Sequence, residues 1–476
     1  MYHKKAKLDI TEIIRNNEIL KNSEIIKILI IFSIPNILEQ VAITMIQFID
    51  TAMVGNLGAA STAAIGVTSS TIWLFNGIFA AICIGFTVQV SQNIGAGKID
   101  EAKSIIRQGI LFVIIFGILA SIIGVIISPK LPLWLGAKSE VVYNASMYFK
   151  IIAIFFPFLF GVNLFSGIIR ATGDMKTPMV LNILMGILDV IFNFYFIYPS
   201  FQFKLFESTI NIKCMGYGVI GAAIGSGIAE VIVFILYLSI LFFKNTKFKI
   251  SFKESFRLTK VCIKNVLKLG FPVALERIVM CSSQVILTMI VASLGTVAIA
   301  ANTISTTAES ICYLPGFGIS AAITVLLGQS VGAQNKYLTE KFAIIGNYIG
   351  MIIMGILGLL MFIFSIELIS IFTNDLNVIQ TGGNILKVEA FAEPFFAASI
   401  VIAGVFRGSG NSKLPFLIYL FSVWCVRIPI CYFMSINFSI VGVWIGISFE
   451  IFIRGVISIV ILFRKKWLNV VSIVEN

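Results

Sequence analysis

An all-α membrane protein, with twelve transmembrane helices in two six-helix lobes, is what this sequence predicts, on three observations. The 476 residues are 58% hydrophobic and only 12% charged, whereas soluble domains carry about 25% charged residues. Continuous apolar runs of about twenty residues recur along the chain, the length a helix needs to cross ~30 Å of hydrocarbon; a β-barrel would instead alternate in segments of about ten. Motifs of the first half also return in the second half at one fixed offset.

Residues 1–27 read as a cytoplasmic tail, in which 8–24 form either an amphipathic interfacial helix or plain disordered chain. No small-residue cleavage site follows the first apolar run, so no signal peptide is expected. Twelve spans follow at 28–54, 62–90, 106–128, 141–169, 178–198, 217–243, 265–293, 297–327, 343–366, 383–405, 414–434 and 440–463. They define a first lobe over 28–243, a basic linker over 244–264, a second lobe over 265–463 and a tail over 464–476. With the amino end inside, cytoplasmic segments counted with the adjoining span ends hold 26 Lys/Arg and outer ones 5, a strong positive-inside bias. That bias explains the net charge of +12 without nucleic acid; the basic connector Lys244–Lys268 can also touch anionic headgroups.

The repeat is carried by residues. Pro35 and Glu39 recur as Pro272 and Glu276; Gln92, Gly95 and Ala96 as Gln329, Gly332 and Ala333; Lys150 and Pro157 as Lys387 and Pro394. Gly167, Arg170, Gly173, Lys176 and Pro178 recur as Gly404, Arg407, Gly410, Lys413 and Pro415, all at an offset of 237. Gly221 and Gly225 match Gly442 and Gly446 at 221, so the first half carries a 16-residue longer outer loop around Pro199–Met215. Six spans per unit is even, so the lobes run in the same sense and a pseudo-two-fold axis along the membrane normal relates them, the layout of an alternating-access transporter.

The first span, within Ile28–Gly58, carries Glu39, Gln47 and Asp50. A carboxylate at mid-membrane costs ~2.5–3.5 kcal/mol on insertion scales, so an anchor would not keep one. Eleven residues make about 1100° of helix, so Glu39 and Asp50 share a face about 16 Å apart. Pro35 marks a kink, passive or functional. Among the remaining intramembrane acids, Glu450 pairs with Arg454 four residues on, Glu389 is placed near a span end and solvated, and Glu393 answers Arg427. Glu230 and Glu309 complete the set. The sharper group is Asp50, Asp189, Asn193 and Ser226, all at similar depth in one lobe. Their repeat mates are Leu287, Val426, Ile430 and Ile447, so building the repeat does not require them. Two close carboxylates in low dielectric take up a proton or a cation, and their oxygen set suits a hard ion such as Na⁺; the sequence does not choose.

Other chemistry is excluded or weak. Gly95-Ala96-Gly97-Lys98 is followed by Ile99, not Ser or Thr, so it is a tight turn rather than a phosphate loop. His3 is the one histidine and lies in the tail, which removes His catalysis and His metal sites from the core. Seven scattered Cys without a C-x-x-C pair suggest neither a metal site nor a disulfide framework. Phe155, Phe156, Phe158 and Phe160 line a cavity for flat cations or, with 42 Phe in the chain, face lipid. Gly221 and Gly225 read as close helix packing.

At these residues the chain resembles the multidrug and toxic compound extrusion (MATE) family. Pro35 with Phe48–Gly55, the Gly167–Pro178 motif with its second copy, and Leu314–Gly318 through Gly328–Ala333 carry the likeness over nearly the whole chain. The resemblance implies a twelve-helix exporter, not an enzyme, in the bacterial plasma membrane with both termini cytoplasmic. It would act as a monomer without cofactor, expelling amphipathic, often cationic compounds in exchange for Na⁺ or H⁺. It also implies a site of Asp50, Asp189, Asn193, Ser226 and Tyr148. Members of this branch carry Asn before Asp on the fifth span; here Asp189 comes first. Another branch uses a seventh-span acid, for which Glu276 is the candidate, although Glu39 at the matching repeat position suggests a shared structural role.

Two rivals differ in class. A flippase for lipid-linked or polar precursors needs a cationic cavity, yet the spans, apart from Lys/Arg at their ends counted with the loops, hold four Lys/Arg against nine acids. A membrane-embedded enzyme needs a nucleophile, base or metal set that the spans do not supply.

Overall fold

The computed structural model describes residues 10–16, 19–205, 208–244, 247–251 and 253–469. After the short α1 (Ile10–Arg15) come α2 (Asn22–Gly55), α3 (Ala59–Gly95), α4 (Ile99–Ile127), α5 (Leu131–Trp134), α6 (Ser139–Ala171) and α7 (Lys176–Ile197). Strands β1 (Pro199–Leu205) and β2 (Ser208–Met215) precede α8 (Gly218–Phe243). The second half holds α9 (Lys260–Ala292), α10 (Thr296–Gly332), α11 (Lys336–Ile363), α12 (Ser365–Ser370), α13 (Leu376–Ala390), α14 (Glu393–Gly408) and α15 (Lys413–Phe421). A π-helical stretch (Ser422–Arg427) then leads into α16 (Ile428–Phe463).

Among the described residues ten helices are long and apolar enough to cross a membrane, and α13 with α14, bent by 56°, makes an eleventh. The twelfth lies inside Lys413–Phe463, 51 residues that would run about 76 Å if straight. Ser439 interrupts it with φ 52°, and the Cys431 thiol reaches the Val443 carbonyl at 3.2 Å. Gly446 lies against the Cys431 backbone, so the segment is a helical hairpin and the twelve predicted spans are present. The extra outer loop of the first half is not a plain loop: β1 and β2 pair antiparallel.

The fold separates into two compact units. One comprises Met1–Gln40, Ser91–Lys98 and Asn265–Asn476; the other Val41–Val90 and Ile99–Lys264. The start of α2 and the end of α3 thus group with second-half helices, and α2 passes from one unit to the other five residues after Pro35. Pro35 lies within the helix; having no N–H, it cannot satisfy the Ile31 carbonyl.

In the second of these units, Phe79 and Phe160 stack at 5.0 Å between ring centroids and Phe75 meets Phe156 at 4.7 Å. Phe156 and Phe160 are fully buried; they are neither lipid-facing nor cavity walls. Tertiary contact drew them inward because aromatic pairs add to burial. Gly221 and Gly225 bring α8 onto the α7 backbone at Phe196 and Asn193, the close packing expected of them.

The linker is tied down by side chains of the same unit. Arg107 pairs with Glu254, and the Gln108 carbonyl accepts from the Thr259 amide at 2.8 Å and hydroxyl at 2.9 Å. Lys244 reaches Asp174 at 3.3 Å in the turn after α6, where Gly173 has φ +93°. Partial burial alone would raise the Asp174 carboxyl, but hydrogen bonds from the Thr177 hydroxyl and amide, with Lys244, hold it below the usual carboxylate range.

Candidate functional site

Three helices converge on the acid pair because small residues let them. At Gly186 on α7 a Cβ would collide with Ile46 of α2, one turn before Asp50. At Gly225 on α8 a Cβ would collide with the Asn193 side chain, which sets Ser226 beside Asp189. Asp189 and Asn193, one turn apart on α7, therefore face both α2 and α8.

The Asn193 amide nitrogen donates to Asp50 Oδ1 and to Asp189 Oδ1, each at 3.1 Å. Asp189 also lies within electrostatic reach of Asp50 and close to Ser226. Two carboxylates bridged by one amide repel each other unless a proton or a cation compensates their charge. Asn193 is 2% exposed, and its carbonyl oxygen has no hydrogen-bond partner, which leaves a hard oxygen ligand unused beside the pair. Among the described residues no Lys or Arg pairs with Asp50 or Asp189.

Tyr148 on α6 packs with Met53, Val54, Ile197 and Ala222 and lies in the field of Asp189, Asp50 and Glu230. All five residues expected of the first-lobe site are thus brought together. Glu230, one turn beyond Ser226 on α8, interacts with Asp189 and was not grouped with them; the four-residue spacing from Ser226 was the available signal. Met53, Val190, Ile191, Phe194, Tyr198 and Pro199 line an open apolar depression of about 680 Å³, which neither Asp50 nor Asp189 lines.

The other unit treats its acids differently. Arg407 grips both Glu276 oxygens, at 2.8 and 2.9 Å, which fits an ion pair rather than an ion-exchange site. Glu450 receives Arg427 at 2.5 Å and Arg454 at 3.1 Å. Glu393, expected to answer Arg427, does not: it is fully buried and neither of its oxygens has a hydrogen-bond partner. Glu389, expected to be solvated, is also fully buried, because the bend between α13 and α14 keeps it inside; Ser448 donates to it at 2.5 Å. Glu309 on α10 is in the field of Glu389. Glu39 is 2% exposed, in the unit that does not contain Asp50. Among the described residues no group of three or more His, Cys, Asp or Glu could hold a metal ion.

The MatE family model matches the chain twice, over residues 35–195 and 272–433, which mirrors the repeat. A probable multidrug resistance protein, NorM, of Thermotoga maritima is 26% identical over 450 residues, covering 93% of each chain. An uncharacterized transporter of Bacillus subtilis, YisQ, is 27% identical over 424 residues, covering 88% of this chain and 89% of its own. Among solved structures, the outward-facing conformation of a multidrug resistance MATE family transporter of the MOP superfamily superposes with a TM-score of 0.85 at 20% identity. It covers 94% of this chain and 98% of that one. A MOP superfamily transporter from Pyrococcus furiosus gives 0.84 at 20% identity over the same shares.

Proposed function

Because the chain belongs to the MatE family, a family of transporters rather than enzymes, we propose that it is a secondary active multidrug exporter. It expels amphipathic, often cationic organic compounds by alternating access, in exchange for Na⁺ or H⁺ entering through Asp50, Asp189, Asn193, Ser226 and Tyr148. The observation that carries the reading is the Asn193 amide bridging two carboxyl groups with its own carbonyl left over. Without a cationic side chain beside it, the pair demands a mobile counter-charge. One ion entering across 100 mV releases about 2.3 kcal/mol, similar to the cost of expelling one monovalent cation. Coupling follows if the pair holds the ion in one state and releases it in the other.

A second ion locus is favoured in the other unit by the orphaned oxygens of Glu393, next to Glu389 and Glu309. Glu276, held by Arg407, is the weaker candidate there. The chain sits in the bacterial plasma membrane with both termini cytoplasmic, on the positive-inside bias.

The test is ethidium efflux from proteoliposomes with Na⁺ and pH gradients imposed separately. The expected result is efflux under at least one inward cation gradient; no efflux under either overturns the reading. Efflux under only one of them identifies the ion.

A further inference from the structure

Two glycines of α8 flank Ser226. A Cβ added at Gly225 would strike the Asn193 side chain of α7, and one added at Gly227 would strike the Phe155 ring of α6. Ser226 therefore looks into the space that α6, α7 and α8 enclose. At about 100° per residue, Glu230 stands about 40° from Ser226 around the helix and about 140° from Ile235, which is 54% exposed on the outer face of α8. Glu230 thus belongs to the inward stripe of that helix.

Helix register sets its height. Gly221 lies against the Phe196 backbone and Gly225 against the backbone at Phe192 and Asn193, so α7 and α8 run antiparallel. One more turn along α8 reaches Ala229, level with Asp189 one turn back along α7. Glu230 is the next residue, and Asp189 is the charged group that reaches it. Tyr148 on α6 lies in the field of Asp50, Asp189 and Glu230 together. Among the described residues neither a hydrogen bond nor an ion pair holds Glu230. Asn193 spans the two sides. Its amide nitrogen serves Asp50 and Asp189, while its unpartnered carbonyl oxygen is the atom nearest to a Cβ added at Gly225 and so lies against α8.

We propose that Glu230 is a second position for the monovalent coupling cation in the first lobe, reached from the Asp50–Asp189 pair past the Asn193 carbonyl and the Ser226 hydroxyl. The proposal rests on the exporter reading above and deepens it: two cations, not one, load this lobe in a cycle. Three carboxyl groups with no Lys or Arg paired to them among the described residues carry more charge than one monovalent ion cancels. A carboxylate, an amide carbonyl and a hydroxyl are hard oxygen donors. They suit Na⁺ held between them, or a proton taken up on a Glu230 oxygen.

The test reads transport and binding separately. In proteoliposomes, ethidium efflux is measured against the concentration of Na⁺ and of H⁺ in turn. The parent should respond to the driving ion with a Hill coefficient approaching about 2, the number of positions. Glu230→Gln should bring it to about 1 and cut the maximal rate about tenfold, and Glu230→Asp, which keeps the charge, should restore the cooperativity. In detergent, the thermal unfolding midpoint is followed as Na⁺ is added at fixed pH, and as pH is lowered without Na⁺. A ligand of the native state alone raises the midpoint, so Glu230→Gln should keep about half of the parent's rise.

Glutamine matches glutamate in shape and removes an unpaired charge, so Glu230→Gln should fold at least as well as the parent. A variant that fails size exclusion means that Glu230 holds the fold, and overturns the proposal. A Hill coefficient of about 1 in the parent, or a parent-like Hill coefficient and midpoint rise in Glu230→Gln, overturns it too. A parent that expels ethidium beside an unchanged Glu230→Gln loses the second position and keeps the exporter reading. A midpoint rise halved in Glu230→Gln, with no efflux from the parent under either gradient, keeps the position and loses the exporter reading.

Discussion

The Asp50–Asp189 site and the arginine-held acids Glu276 and Glu450 of the other unit treat carboxylates in opposite ways. Around Asp50 and Asp189 the hydrogen-bond partner is the Asn193 amide. Around Glu450 and Glu276 the partners are arginines. A guanidinium charge beside a buried carboxylate neutralises it and fixes helix positions. An amide satisfies it only in part and leaves room for an ion to come and go. The difference separates acids fixed by arginine from acids without a cationic partner, and counting acids in the spans could not separate them.

The strongest way to break the contrast is to leave a scaffold acid without its arginine. Arg427→Gln strands part of the Glu450 charge in a fully buried position and should destabilise the protein by ~3–5 kcal/mol, read as a lower thermal unfolding midpoint in detergent. A midpoint within a degree of the parent would place Glu450 with the exchangeable acids. Next, Asp50→Asn should cut gradient-driven ethidium efflux by about 100-fold, within the range of coupling free energies, at unchanged expression; unimpaired efflux would remove Asp50 from the site.

Gly225→Ala sharpens the comparison more gently. Its methyl group pushes on the Asn193 side chain, and overpacking of ~1–3 kcal/mol should weaken efflux by roughly an order of magnitude while stability changes less. Equal loss of both would mean that the glycine serves packing alone. Glu276→Gln should do the converse, lowering the unfolding midpoint while efflux per folded molecule persists.

The smallest effect lies outside the spans. Asp174 is held below its usual range, so its ionised form contributes stability that is complete above about pH 4. That contribution is lost as pH falls through the lowered folded-state value. The Lys244 partner is half-exposed, so Asp174→Asn should cost no more than ~1 kcal/mol and flatten the acid limb of the stability profile; an unchanged limb would mean that the pair is idle.

Much of the site was legible in the chain. Asp50, Asp189, Asn193 and Ser226 stood out because polar groups in hydrocarbon need a reason, and the loss of their repeat mates said that the reason was not the fold. Other assignments failed where partners come from distant segments. Glu393 next to Arg427 looked plausible, but Arg427 turned to Glu450, 23 residues away in sequence. Glu389 looked peripheral until the bend of α13 against α14 folded it inward. Glu230 was read only as one more acid.

The sequence by itself determined the twelve spans, the repeat and the polar stripe of the first span, because hydrocarbon thickness and helical periodicity act on local residues. Which carboxylates hold arginines, which aromatics are core, and which acid stands level with Asp189 were decided only by tertiary structure. Those outcomes depend on which backbones can approach each other, and close approach joins residues that share no local pattern.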